Sequence, residues 1–67
     1  MTSQVDEKYL NRLLRIAEDR LADSKYWSYL VKYRPTEDQK AKTLLTSINH
    51  LRYCVLSLIL ADQELCK

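Results

Sequence analysis

The stretch KYRPTEDQK (residues 32–40) contains the only proline of the chain and decides the fold. Pro35 pushes Arg34 out of helical geometry, because the proline ring clashes with a helical residue before it. Thr36 followed by Gln39 fits a capping box, and the two acidic residues after Thr36 suit the first turn of a helix. We therefore predict that one helix ends and another begins within this stretch.

The remaining composition indicates an all-α protein. The 67 residues include no glycine, which argues against tight β turns and glycine loops, and 46% of them are apolar. We expect one domain over residues 1–67, built as an antiparallel two-helix hairpin. Its helices are predicted at about 4–33 and 37–65, with the turn at 34–36.

Charge, cysteine usage and hydropathy limit the cellular environments and the partners that we expect for this protein. Eleven Lys and Arg against nine Asp and Glu give a net charge of only +2, so a strongly basic nucleic-acid coat is absent. Cys54 and Cys66 lie about 18 Å apart along one predicted helix and cannot bridge each other. No secretory signal is evident, and we expect reduced thiols in the cytoplasm. The longest apolar run, CVLSLILA (54–61), is shorter than the roughly 20 residues of a bilayer helix, so we predict no membrane span.

Each predicted helix carries a heptad row that we expect to form the contact between the helices. On the second helix the row is Ala41, Leu44, Ile48, Leu51, Val55, Leu58, Asp62 and Leu65. On the first helix it is Leu10, Leu14, Ala17, Leu21, Ser24, Ser28 and Val31. Folding the chain back pairs positions whose numbers sum to 72, and small side chains then face large ones, as in a packed core.

Further apolar residues lie beside these rows and would stay exposed in a monomer. A homodimer of hairpins, forming a four-helix bundle, would cover them, although a different protein would cover them equally well. The residues that we predict for self-association are Leu13, Ile16, Leu30, Leu45, Leu56, Ile59 and Leu60.

The stretch DSKYWSYLVKY (23–33) concentrates four of the six aromatic residues of the chain. On a helical wheel its three tyrosines point away from the predicted contact, and rings with polar tips beside basic residues suit a protein interface. Helically spaced aromatics are also common in cores, so burial inside a dimer stays the alternative. The predicted partner-binding residues are Tyr26, Trp27, Tyr29, Lys32, Tyr33 and Arg34.

Nucleic acid is an alternative partner. Lys8, Arg12 and Arg15 recur on one face of the first helix, and tyrosines beside cations can stack on unpaired bases. A solvated face with an Arg15–Asp19 pair is the simpler interpretation. In size and plan the expected dimer is similar to the plasmid copy-number regulator Rop, which binds paired RNA loops; this similarity is one of architecture and assigns no residue.

The sequence contains no group of side chains at the spacing that catalysis or metal binding requires. His50, the single histidine, falls off the predicted contact row, and His50 with Cys54 supplies only two of the four ligands of a structural zinc site. The serines lack a base and an orienting group at helical spacing, and we expect neither enzyme activity nor a cofactor. We predict a non-enzymatic regulator, inhibitor or adaptor that self-associates and binds another protein; the alternatives are a nucleic-acid-binding bundle and a purely structural assembly subunit.

Overall fold

The computed structural model describes residues 4–66, which form two antiparallel helices and, within that range, no strand. Helix α1 spans Glu7–Leu30 and continues as a single 3₁₀ turn over Val31–Tyr33. Helix α2 spans Glu37–Leu65. The predicted hairpin is therefore confirmed, although α1 begins three residues later than expected. Residues 1–3 and 67 of the predicted domain lie outside the described residues.

Both α-helices begin at a side-chain cap. The Asp6 carboxylate accepts a hydrogen bond from the backbone N–H of Tyr9, and the Thr36 hydroxyl oxygen accepts one from Gln39, each at 3.1 Å. Arg34 is extended, with φ −77° and ψ 141°, as a residue before proline should be. The turn thus follows from residues 34–36 and from the cap that starts α2.

The two helices pack through small and polar side chains, together with a short apolar cluster. Ser24 Oγ donates to the carbonyl of Ser47 at 2.9 Å, and Ser47 Oγ donates back to the carbonyl of Ser24 at 2.8 Å. Such small residues let helix axes approach at the near end of the usual 8–10 Å range. The buried residues of this contact, which we call the seam, are Leu10, Leu13, Ala17 and Ser24 on α1 and Thr43, Ser47, Cys54, Ser57, Ala61 and Glu64 on α2.

The predicted contact row on α2 is wrong. The residues of that row are all exposed, namely Ala41, Leu44, Ile48, Leu51, Val55, Leu58, Asp62 and Leu65. The observed seam precedes that row by one residue, so that Ser47 takes the place expected for Ile48, and Ser24 faces Ser47. The reason is that two heptad rows with the same spacing run side by side on α2, one through Ser47 and one through Ile48. A prediction from hydrophobicity alone selects the second row, because it contains the leucines.

The row predicted on α1 is partly correct. Leu10, Ala17 and Ser24 are buried as expected, and Val31 is half-buried. The other three positions, Leu14, Leu21 and Ser28, are exposed, while Leu13, expected to be exposed, is only 5% exposed. Unlike α2, α1 keeps half of its predicted row, because the buried positions run through Leu10, Leu13, Ala17 and Ser24 and only the alternate positions shift by one residue.

The open end of the hairpin is held by a buried carboxylate. Glu64 is 3% exposed, and its Oε2 accepts a hydrogen bond of 2.8 Å from the backbone N–H of Asp6. Leu10, Leu13 and Ala61 form an apolar cluster beside it. The start of α1 is therefore fixed to the end of α2.

His50 is half-buried between the seam residues Ser47 and Cys54, so its predicted position off the contact row is wrong. Arg20 Nη1 donates to His50 Nδ1 at 3.1 Å, and an Asp23 carboxylate oxygen lies 3.9 Å from the same nitrogen. The His50 side chain is only 20% exposed. Arg20 also lies over the ring of Tyr53, with Cζ 5.1 Å from the ring centroid. At this level long polar side chains occupy the contact between the helices, whereas the small residues Ser24 and Ser47 occupy it nearer the turn.

Candidate interaction surfaces

An aromatic and basic surface lies on α1 and the 3₁₀ turn, near the turn end of the hairpin. Tyr26, Tyr29 and Tyr33 are 59%, 52% and 62% exposed. The hydroxyls of Tyr29 and Tyr33 lie 3.1 Å apart, and Lys32 Nζ lies 4.9 Å and 5.4 Å from their ring centroids. We call these four residues the tyrosine patch. Mutual ring, hydroxyl and cation contacts hold the exposed side chains of Tyr29, Lys32 and Tyr33 in a defined arrangement.

The pKa of Tyr33 is raised above its ordinary value of 10.0, chiefly because its hydroxyl is hydrogen-bonded to Tyr29. The bond favours the neutral phenol, since deprotonation would remove a donor from the pair. The raised pKa therefore keeps the Tyr33 hydroxyl neutral at neutral pH, so that it stays in the bond with Tyr29. The patch offers an apolar surface with polar tips rather than a charged aromatic one.

Trp27 and Arg34, also predicted to bind a partner, are half-buried and brace the turn. Arg34 Nε donates to Thr43 Oγ1 on α2 at 3.1 Å, and Arg34 Cζ lies 6.0 Å from the Trp27 ring centroid. Trp27 also meets the ring of Tyr26 edge to face at 5.8 Å. These two residues support the tyrosine patch from behind and are less exposed than residues that contact a partner directly.

A second exposed surface runs along one side of the hairpin. Leu44, Leu51, Leu58 and Leu65 recur every seven residues and are 47%, 44%, 46% and 58% exposed. Leu14 and Leu21 of α1 line a shallow groove of about 240 Å³ together with Leu58, so both helices contribute to this side. We call this surface the leucine face; it comprises Leu14, Leu21, Leu44, Ile48, Leu51, Val55, Leu58 and Leu65. β-branched residues alternating with leucines at heptad spacing are typical of helix–helix seams.

The predicted self-association residues are distributed differently. Leu13 is buried inside the hairpin, which corrects its placement on an exposed surface. Ile16 and Leu60 each precede a seam residue by one position and lie on the side opposite the leucine face, as does half-buried Leu30. Leu56 instead lines a groove on α2 together with the leucine-face residues Ile48, Leu51 and Val55. Leu45 and Ile59 are exposed on the outer side of α2. The signal that sequence reasoning missed is the row of small residues directly before the leucine row.

The three basic residues considered for nucleic acid are exposed on α1. Lys8, Arg12 and Arg15 form no salt bridge with any residue between positions 4 and 66, and the predicted Arg15–Asp19 pair is not formed. Two ion pairs lie instead at the start of α2, where Lys42 meets Asp38 at 3.1 Å and Lys40 meets Glu37 at 3.9 Å. The cations of α1 are therefore available to a ligand.

The described part of the chain contains no cluster of three or more His, Cys, Asp or Glu side chains that could bind a metal ion. Cys54 is buried in the seam and Cys66 is exposed, and both are free thiols. The two cysteines thus differ in accessibility.

Helix α2 is long and apolar enough, by length and composition, to cross a bilayer. Sequence reasoning considered only the apolar run 54–61 and so did not detect this property. The paired helix α1 carries charges along its exposed surface, from Lys8 to Lys25, and these would enter the hydrocarbon with α2 unless the hairpin opened. This pairing favours a protein environment for the apolar side of α2.

Comparison with known proteins adds no assignment. A scan against protein-family models, a search of curated proteins and a search of solved structures each found no significant match.

Proposed function

We propose that this protein is a non-enzymatic, cytoplasmic regulator, inhibitor or adaptor that self-associates through its leucine face and binds another protein through its tyrosine patch. The observation that carries the proposal is the presence of two different exposed surfaces on one small hairpin. One surface is a largely aliphatic side that Asp62 interrupts between Leu58 and Leu65, and the other is an ordered aromatic and basic patch near the turn. Two surfaces of different chemistry suit two different contacts.

The accessible area supports the self-association. The chain exposes 5397 Å², whereas a folded monomer of 8.0 kDa typically exposes about 4,450 Å². The excess of about 950 Å² is close to the roughly 800 Å² that each partner buries in a standard interface. A chain this small also rarely gains more than about 3–5 kcal/mol from a single core, so association would supply needed stability.

The chemistry of the tyrosine patch supports a protein partner. Tyrosine and tryptophan are enriched at the centres of protein interfaces, where the ring is covered and the hydroxyl stays hydrogen-bonded. The contact between Tyr29 and Tyr33 orders both rings before binding, which lowers the entropy cost of association. The exposed Lys32 beside the rings suits a partner surface with acidic groups around an apolar centre.

Alanine replacement at the patch tests the partner-binding part of the proposal. We expect Tyr29→Ala and Tyr33→Ala to abolish capture of a specific partner from a lysate of the source cell while leaving the mass in solution unchanged. Tyr53→Ala is the matched control, since Tyr53 is 55% exposed but lies away from the patch on α2. Loss of self-association in the Tyr29→Ala protein would instead assign the tyrosines to a self-interface.

Nucleic acid is the second candidate partner, because Lys8, Arg12 and Arg15 form no salt bridge within the described residues. Arg15 and Tyr26 are eleven residues apart, close to three full turns, so they share one face about 16 Å apart. A basic residue and an aromatic ring on one face suit single-stranded RNA or DNA. Binding of a labelled oligonucleotide that falls steeply with salt, and that Arg15→Glu abolishes, would favour this candidate.

A further inference from the structure

On α2 the leucine face is rotated around the helix axis from the seam by the angle that a four-helix bundle requires. The leucine-face residues of α2 directly follow seam residues, as Leu44 follows Thr43 and Leu58 follows Ser57, except for Leu51, which follows half-buried His50. One residue is a rotation of about 100° around an α-helix. In a bundle each helix contacts two neighbours at roughly a right angle, so the seam serves one neighbour and the leucine face suits a second.

The same rotation occurs on α1. Leu14 follows the seam residue Leu13, and Leu21 follows Arg20, so the outward step is again one residue. Because the helices are antiparallel, both steps turn toward the same side, and Leu14, Leu21 and Leu58 accordingly line one groove. The hairpin therefore has one aliphatic side built from both helices, which matches a second hairpin laid against it.

Opposite charges flank this side. Glu18 lines the α1 side of the groove that both helices share, and Arg52 lines a groove of about 320 Å³ on the outer side of α2 together with Leu51, Val55, Leu56 and Ile59. Both side chains are exposed, and neither forms a salt bridge with the residues that the structure describes. An acid and a base at the two edges of one apolar side form a self-complementary charge pattern.

Glu18 and Arg52 also lie at the same height along the hairpin. The Ser24–Ser47 pair sets the register, so a residue of α1 faces the α2 position that brings the sum of the two numbers to 71. Glu18 therefore lies level with Tyr53, next to Arg52. Both residues are near the midpoint of their helices, where two fully overlapping hairpins would bring them to one level.

We propose that a second copy of this chain covers the leucine face, with α2 of each chain packed on α1 of the other and Arg52 of one chain paired with Glu18 of its partner. This arrangement rests on the self-association proposed above and adds its geometry. The other way of stacking two hairpins places α2 on α2 and α1 on α1. It would bring Arg52 close to Arg52 and Glu18 close to Glu18, and like charges at such edges oppose association.

A charge-reversal cycle tests this arrangement. The dimer dissociation constant is measured by sedimentation equilibrium, with reducing agent, for the wild type, Arg52→Glu, Glu18→Arg and the double variant. Each single variant should weaken the dimer by about tenfold, since the contact occurs twice in each dimer, and the double variant should return to within about threefold of the wild type. Arg15→Glu is the matched control and should leave the constant unchanged, because Arg15 is exposed on the outer surface of α1.

The outcomes separate this inference from the proposed function. A dimer that the double variant does not restore, or that Arg52→Glu strengthens, would overturn the cross-paired arrangement while leaving self-association in place. A wild type that stays monomeric at every concentration would overturn both, and would assign the leucine face to a different protein or a membrane. Circular dichroism of each variant checks that the hairpin is intact.

Discussion

Ser24 and Ser47 exchange hydrogen bonds across the helix contact, each hydroxyl donating to the other residue's carbonyl, at 2.9 Å and 2.8 Å. Their hydroxyl oxygens lie 3.1 Å apart, and both residues are buried. Buried hydroxyls are thereby satisfied by backbone carbonyls that a helix leaves with spare acceptor capacity. The pair fixes both the distance and the register of α1 against α2, and it leaves the leucines on another side.

Enlarging one of these serines should destabilise the hairpin. Ser24→Leu places a large side chain in the buried contact between Ser24 and Ser47, and overpacking of this kind typically costs about 1–3 kcal/mol. Ser28→Leu is the matched control, because Ser28 is exposed and a surface change there should stay within about 0.5 kcal/mol. Chemical denaturation of both variants measures the difference. Equal destabilisation by the two variants would show that Ser28 lies in the contact between the helices and would contradict the observed seam.

The Tyr29–Tyr33 bond should be visible in the titration of Tyr33. Its raised pKa means that the contribution of the bond is fully present below the ordinary tyrosine pKa and is lost as pH rises through the raised value. Tyr29→Phe removes the phenolic partner, so the pKa of Tyr33 should fall back toward 10.0. NMR titration of the ring carbons measures it, with Tyr26→Phe as the control that leaves the value unchanged. No change in Tyr29→Phe would show that the two hydroxyls are not bonded.

The two thiols should react at different rates. Cys66 is exposed near the end of α2, whereas Cys54 is 5% exposed in the seam. We expect one thiol to react rapidly with Ellman's reagent in the native protein and the second only after denaturant is added. In Cys66→Ser the fast phase should disappear. A fast phase that persists in this variant would place Cys54 at an open surface.

The sequence was sufficient for the hairpin and its turn, because Pro35, Thr36 and Gln39 act locally. The contact between the helices was not predictable by the same means. Rows through Ser47 and through Ile48 share one heptad spacing, and an apolar criterion ranks the second above the first. What decides between them is the close approach of two backbones and the satisfaction of serine hydroxyls, which depend on both helices at once.

For the tyrosine patch, too, one part of the structure could be predicted from the sequence and another part could not. The outward direction of Tyr26, Tyr29 and Tyr33 followed from helical periodicity and is confirmed by their exposure. The bracing role of Arg34 was not evident, because its partner Thr43 lies on the other helix. Contacts within one helix are readable from spacing, while contacts between helices require the register.

The measurement that most directly tests self-association through the leucine face is the mass in solution of the wild type and of Leu58→Asp, by sedimentation equilibrium with reducing agent present. We predict that the wild type has twice the 8.0 kDa of one chain and that Leu58→Asp is a helical monomer, because the charge would be buried in the interface. Tyr53→Asp, on the opposite side of α2, should remain a dimer. A monomeric wild type, or a Leu58→Asp protein as dimeric as the wild type, would contradict this account.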